Sequence, residues 1–523
     1  MREQSASGAP PADKAFTTMV MVICAGLLLP ILSFRMGLDQ GVFAYMGAEI
    51  LDGRWPYVDT WDHAFPGLMF LNAGEILLFG KSGAMFRLFD WLYQLGCVYF
   101  VYSITRRVSD RTGGYVASAL YVLIYQGYGP WNTAQREGFA VLFVLWGFWL
   151  FLTARNRRPL FTAIGVGLGI GFAVIIKPTM LALGALYALL LLRPNRATIK
   201  LGILSGAAVL APSLAIVLVY WSNGHLHDLY EACIAFQQVY VRMSRGSEPL
   251  LLFWLSNLGR LGLQSIAVGL AYIPFLFSGE NLRERWMLYI GYLGAVFAVV
   301  AQGTFAGYHY LPGLAIGAVL IGTMFSRVTS LVVGDARLVA GRFRVTTRLA
   351  VAHLLVLAAL PVYLHRDPFE KLASLQFLQP PEPNEFRNRS VFDFTEDWDL
   401  AEYLRNHTTS TDTIQVWGHE SLVYYLADRD AASRFQTSNP LVTRAPGEDI
   451  TLMQKRWREE FIRDVTELRP SYIAVVRDDD WWWAPEQQTS EQLLDDFLAW
   501  KEFIANEYSL ETMIGRFLVF RRK

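Results

Sequence analysis

The chain has 523 residues, of which 53% are hydrophobic and 18% charged, against roughly 25% charged in an ordinary soluble domain. Residues 1–365 hold 27 bases and 17 acids, a net of +10, while residues 366–523 hold 19 bases and 29 acids, a net of −10. This division excludes a protein soluble throughout, a disordered chain and a nucleic-acid binder with a broad basic face. It predicts an α-helical polytopic membrane protein followed by a water-soluble domain. Cys24, Cys97 and Cys233 all fall in the first part and are too few and too scattered for a disulfide framework or a zinc site.

A bilayer core of about 30 Å takes roughly 20 apolar residues as helix. Apolar stretches predict eleven spans, near residues 16–36, 83–104, 113–128, 137–153, 159–176, 178–192, 201–221, 250–278, 286–304, 309–326 and 347–364, with 66–80 as a re-entrant or interfacial segment. The first span carries no small-residue cleavage site before Arg35, so it is not read as a cleavable signal peptide. One set of loops, from Arg106 and Arg107 through Arg155 to Arg158, Arg193 to Lys200, Arg283 and Arg285, to Arg327 to Arg348, holds 18 bases and six acids once the N-terminal tail is counted. The positive-inside rule makes that side cytoplasmic. The expected order is a cytoplasmic tail (1–15), a transmembrane domain (16–365) with an outer loop at 37–82, and a periplasmic domain (366–523).

The unusual polar residues gather on the opposite side. In the first loop Asp39 opens an amphipathic stretch with Tyr45, and Tyr57, Asp59, Asp62 and His63 follow Gly53. Acids among aromatics at a bilayer surface suit a polar, ring-shaped ligand; a helix N-cap at Asp39 and an aromatic interface belt are the structural alternative. Arg136 and Glu137 stand at the mouth of a span, where charges pair or face a cavity. Lys177-Pro178 forms a hairpin where a lysine must snorkel or meet an anion. Tyr308-His309-Tyr310 enters the tenth span from the same side.

These segments, in this order, resemble the GT-C glycosyltransferases, including the protein O-mannosyltransferases, the aminoarabinose transferase of lipid A and the RgtA/B/C/D-like bacterial proteins. The resemblance rests on Asp39 to Pro66, Gly171 to Pro178 and Tyr308 to Pro312, and on the tail segments Asp399 to Asn406, Ile414 to Glu420 and Arg469 to Val476. The chain departs from it at Asp39-Gln40, where mannosyltransferases often show Asp-Glu. The resemblance implies transfer of a hexosyl or pentosyl unit from a polyprenyl-phosphate donor to a hydroxyl of a glycan, lipid or protein, at the outer face of a bacterial inner membrane. One carboxylate takes the acceptor's proton and cations receive the leaving phosphate. Asp39 is the expected base, and Glu137 is a second expected catalytic residue. Lys177 is the expected phosphate ligand, supported by Arg136, His309 and Tyr310. Glu137, Asp59 and Asp62 orient sugar, acceptor or Arg136, with Tyr45, Tyr57 and His63 as further substrate contacts. Phosphate leaves readily, so a divalent metal is neither required nor excluded, and no cluster has clear metal spacing. No Gly-rich phosphate loop follows a strand, so no nucleotide cofactor is expected.

In residues 366–523 helix and strand signals alternate, which predicts a small α/β layer. Helices are expected at Trp398 to Asn406, Ser421 to Ala427, Leu452 to Leu468 and Glu491 to Tyr508, and strands at Thr413 to Trp417, Ser471 to Val476 and Phe517 to Arg521. The run Asp478 to Trp483 reads as a sugar platform or as an aromatic patch that docks on the bilayer. Two rival functions remain. A transporter or flippase of lipid-linked sugars should show a repeated half, and no repeat is visible. An oligosaccharide ligase or polymerase should lack this first loop.

Overall fold

The computed structural model describes residues 11–184, 196–245, 248–259, 261, 263–277, 281–333, 394–479 and 488–523. The expected span at 347–364, most of the one at 178–192 and the Trp481 to Trp483 run lie outside the described residues. The protein is mostly helical. The helices of eight or more residues in the first part are α1 (Pro11–Leu28), α2 (Leu38–Leu51), α3 (Gly67–Phe79), α4 (Gly83–Val108), α5 (Arg111–Gly127), α6 (Arg136–Ala154), α7 (Pro159–Ile176), α8 (Arg196–Ser222), α9 (Phe236–Arg245), α10 (Leu250–Leu258), α11 (Leu263–Tyr272), α12 (Leu282–Gln302) and α13 (Leu311–Val333).

Among the described residues six helices are long and apolar enough to cross a membrane: Ala15–Ser33, Arg136–Ala154, Pro159–Ile176, Ile199–Ser222, Leu282–Gln302 and Gly307–Ser330. The chain is a multi-pass membrane protein. Helix α4 is 26 residues long but buries Arg87, Asp90 and Gln94, so its polarity has an internal use. The expected single span at 250–278 is instead two helices, α10 and α11, followed by a 3-10 turn at Ile273–Phe277. Gly259 follows the last residue of α10.

The C-terminal part is a five-stranded sheet in the order β2-β1-β3-β5-β4. Its elements are α14 (Thr395–His407), β1 (Thr413–Trp417), α15 (Leu422–Ala427), β2 (Asp430–Ala431), α16 (Leu452–Leu468), β3 (Tyr472–Val476), α17 (Leu498–Glu507), β4 (Tyr508–Ile514) and β5 (Phe517–Arg522). Strand β1 runs parallel to β2 and β3, with Ile414 opposite Tyr472, and β5 is antiparallel to both β3 and β4. Every residue of β3 is buried, as a central strand requires. The helix expected over Glu491 to Tyr508 is shorter. It begins at Leu498, after a 3-10 turn at Gln492–Leu494, and ends as Tyr508 enters β4.

Candidate active site

Two loops of the helical part are fixed by one buried arginine. Arg87 donates to the carbonyls of Phe34 (3.1 Å), Arg35 (2.7 Å) and Pro130 (2.9 Å), to Gln40 Oε1 (3.0 Å) and to Thr133 Oγ1 (3.2 Å). It thereby ties the entry of α2 to the segment before α6. Gln40 completes the joint: its Nε2 donates to Pro130 O and Thr133 O, and its Oε1 accepts from Gly37 N. A glutamate could not make the two donations, so the Asp39-Gln40 departure has a local physical reason. Asp90, also fully buried, lies 3.9 Å from Arg87 and accepts from Tyr125, whose hydroxyl oxygen in turn accepts from Ala134 N. Ala134 has φ of 53°, a left-handed conformation that costs an alanine energy, and it is over-determined by this network. Arg87→Ala is expected to cost about 3–5 kcal/mol, because it leaves Asp90 and several carbonyls buried without their partner. Arg87→Lys should recover part of that, since an ammonium cannot reproduce the guanidinium fork. Thermal unfolding in detergent measures both.

The joint aims Asp39 and Glu137 into one space. Asp39 lies in the first turn of α2 and is partly open, with a side chain 20% exposed. Arg136 and Glu137 open α6. Lys177 sits where Pro178 ends α7; the residue before a proline is driven out of the helical region, and Lys177 has φ −145° and ψ 107°. Its Nζ lies 2.9 Å from Glu137 Oε1, and both side chains are buried. His309 Nε2 is 3.7 Å from the same oxygen, and its Nδ1 is 3.4 Å from Thr304 Oγ1. Arg136 lies in the field of Glu137, Asp62 and Asp39, and Lys177 in that of Arg136, Glu137 and Asp39. The cluster thus holds two cations and three acids on four separate segments, with Tyr308 and Tyr240 beside it. Among the described residues no group of three or more His, Cys, Asp or Glu side chains is arranged to hold a metal ion.

Of the other expected residues, Asp62 and His63 border the cluster and the rest lie elsewhere. Asp62 Oδ1 accepts from Ala64 N (2.6 Å) and stands 3.9 Å from His63 Nδ1. His63 packs on Tyr240 at 4.8 Å, and burial pushes its imidazole down to about 4, so it is neutral at physiological pH. Asp59 is exposed and its carboxylate accepts from Trp55 N (2.6 Å), which makes it a turn cap away from the cluster. Tyr57 is buried, with φ of 71°, and its hydroxyl donates to Ala64 O (2.6 Å). Tyr45 is buried against the C-terminal part: its ring lies 5.4 Å from Tyr424 and its hydroxyl oxygen accepts from Ala431 N (3.0 Å). Tyr310 lines an apolar cavity with Tyr128, Tyr292, Val299 and Leu314.

Sequence reasoning passed over Arg87, which falls within the expected span at 83–104, and the placing of His419, whose Nε2 lies 3.7 Å from Asp39 Oδ1. The Trp417-Gly418-His419-Glu420 run after a strand was the available signal for the second. Asp479 is not an exposed sugar ligand; its carboxylate accepts from Ser490 N and Oγ, and burial pushes it up to about 6.

Residues 62–221 match the family model of dolichyl-phosphate-mannose-protein mannosyltransferases. A sequence comparison finds no match among curated proteins. The structure is similar to ArnT from Cupriavidus metallidurans bound to undecaprenyl phosphate, with a TM-score of 0.59 and 14% identity over 97% of this chain and 98% of that one. The apo state of the same protein gives 0.58 and 13% over the same shares. An Archaeoglobus fulgidus oligosaccharyltransferase tethered to an acceptor peptide matches with a TM-score of 0.51 and 14% identity, over 88% of this chain and 69% of that one. From end to end the chain therefore has the fold of ArnT, and within it residues 62–221 resemble the mannosyltransferase family model.

Proposed function

We propose that the protein is a glycosyltransferase that moves a sugar from a polyprenyl-phosphate carrier to an acceptor hydroxyl at the outer face of a bacterial inner membrane. The observation that carries this reading is that a partly open carboxylate, Asp39, stands in the field of the half-buried Arg136 and the buried Lys177 at one end of apolar helices. In the reaction the acceptor oxygen attacks the anomeric carbon, and the bond from that carbon to the phosphate oxygen breaks. Its electron pair leaves on the phosphate, and Asp39 takes the acceptor's proton. Lys177, Arg136 and His309 receive the phosphate charge. Glu137 holds Lys177 in place before the donor arrives. The cavity beside Tyr310 is apolar, which suits the first isoprene units of a carrier. ArnT with undecaprenyl phosphate shares this fold, which supports a carrier of that chemistry. Three loops around the cluster hold non-glycine residues at positive φ, namely Tyr57, Ala134 and Phe305, and such strain concentrates at functional sites.

The test incubates purified protein with a panel of polyprenyl-phosphate sugars and follows the freed carrier phosphate by mass spectrometry. Release from at least one hexosyl or pentosyl donor, slowed about a hundredfold or more by Asp39→Asn, is the expected result. No release from any donor, with the carrier bound normally, would overturn the reading.

The proposed orientation is checked separately by cysteine labelling in intact cells. Glu420 is buried and cannot report, so the probes are the exposed positions Asn156 and Ala505. Ala505→Cys should label from outside and Asn156→Cys only after lysis; the reverse pattern would invert the topology and put the cluster on the cytoplasmic side.

A further inference from the structure

The loop after β1 carries His419 across to the helical part, where its Nε2 faces Asp39 Oδ1 at 3.7 Å with side chains 13% and 20% exposed. This placement is built on both sides. On its own side, Ser438 N donates to Gly418 O (2.8 Å) and Ser421 N to His419 O (3.1 Å). The next residue, Glu420, is fully buried and lies 3.6 Å from Arg516, which also binds Asp397 at 2.6 Å. The loop is therefore anchored immediately beyond the histidine.

The two parts also meet without slack. A Cβ added to Gly41, two residues from Asp39, would lie 2.5 Å from Leu422 Cα, three residues from His419. Gln436 and the backbone of Trp61 form a reciprocal pair, at 2.9 Å for Trp61 N to Gln436 Oε1 and 2.6 Å for Gln436 Nε2 to Trp61 O. Arg54 joins Glu49 of α2 to Asp430 of β2. The backbone approach at Gly41, held by these side-chain bridges, sets the distance from His419 to Asp39.

We infer that His419 is a positioning residue of the reaction centre: its Nε2–H holds one oxygen of Asp39 and leaves the other to take the acceptor's proton, so that the C-terminal part is a working half of the site. The inference rests on the reading of Asp39 as the base. At 3.7 Å the contact is longer than a hydrogen bond, and such contacts tighten when substrate is bound. Arg136 and Lys177 also stand in the field of Asp39, but both belong to the helical part and to the phosphate side of the cluster. Through His419 the sheet reaches Asp39 itself. Truncating the histidine removes the donor, not the carboxylate, so the base remains but is free to turn.

The test uses the full chain in detergent with a turnover assay, a donor KM and a melting temperature for each variant. His419→Ala is expected to lower kcat by about tenfold or more with donor KM within about twofold, since orientation of a base acts in the chemical step. His419→Gln keeps an N–H at similar reach and should restore most of the rate, whereas His419→Asn is too short and should not. In an Asp39→Asn background, His419→Ala should add less than about twofold, because both changes act through one carboxylate. If His419→Ala folds and keeps its kcat, or if the two effects multiply in full, the inference is wrong. If His419→Ala fails to fold, the Gln and Asn variants decide: equal rates in the two would overturn it. Normal turnover in Asp39→Asn would instead sink the reading of Asp39 as base, and this inference with it; a crippled Asp39→Asn beside an unaffected His419→Ala sinks the inference alone.

Discussion

Asp39→Asn is expected to reduce turnover by about a hundredfold or more, while the protein folds and binds donor as before, since a general base contributes about 10²–10⁴-fold. Asparagine keeps the size and most of the hydrogen bonds of aspartate but cannot accept a proton. The alternative use of this residue as a helix cap would make the substitution nearly neutral, because Asn caps as well as Asp. The structure weakens that alternative. The cap of α2 is Gly37, and its amide is satisfied by Gln40 Oε1 at 2.7 Å, with no part played by Asp39. The carboxylate is thus unneeded for the helix start and stands partly open toward the cluster. Single-turnover assays with a labelled lipid-linked donor, together with a melting curve, separate chemistry from folding. Wild-type turnover in the variant would move the proposed base to Asp62, since Glu137 is already engaged by Lys177.

Lys177→Ala is expected to damage both stability and donor binding, and the two can be taken apart. Glu137 is fully buried, and Lys177 Nζ is 2.9 Å from it. Removing one partner of a buried ion pair costs about 3–5 kcal/mol, because the remaining charge stays out of water. A weakened Lys177→Ala variant would therefore say little about phosphate. The informative protein is Lys177→Met with Glu137→Gln, which removes both charges and keeps the volume. Its melting temperature should return toward that of the parent. Its affinity for donor should stay reduced by roughly ten- to a hundredfold, the equivalent of one charge-assisted contact of about 1.5–3 kcal/mol. Lys177→Arg should retain part of the binding. Parental donor affinity in the double variant would make Lys177 a structural residue.

The part of this protein that was legible in the sequence is the part that depends on neighbours along the chain. Apolar stretches of membrane length, the change of charge near residue 366 and the turn at Lys177-Pro178 all follow from local composition, and so do helix Leu452–Leu468 and strand Thr413–Trp417. The edge strand Tyr508–Ile514 escaped because most of its residues are exposed, so its side chains carry no buried alternation; only Tyr508 was assigned, as the end of a helix. Asp59 and Tyr45 show the opposite error. Both lie in a loop whose composition suits a sugar site, yet one caps a turn and the other seals the contact between the two parts. Residue type cannot tell these uses apart.

Only tertiary structure decided which charges share a space. Arg87 reads as an awkward cation within a span until three carbonyls and two side chains from separate segments converge on it. Glu137, Lys177 and His309 come from three distant segments and meet where α6 begins, α7 ends and the turn before α13 passes. His419 reaches Asp39 because Gly41 lets the backbone of Leu422 come close. Periodicity along a chain reports the face a residue presents, within one helix or strand. It holds no record of which two faces will close on each other; that is set by the packing of whole elements, where a missing Cβ or one buried guanidinium fixes the distance.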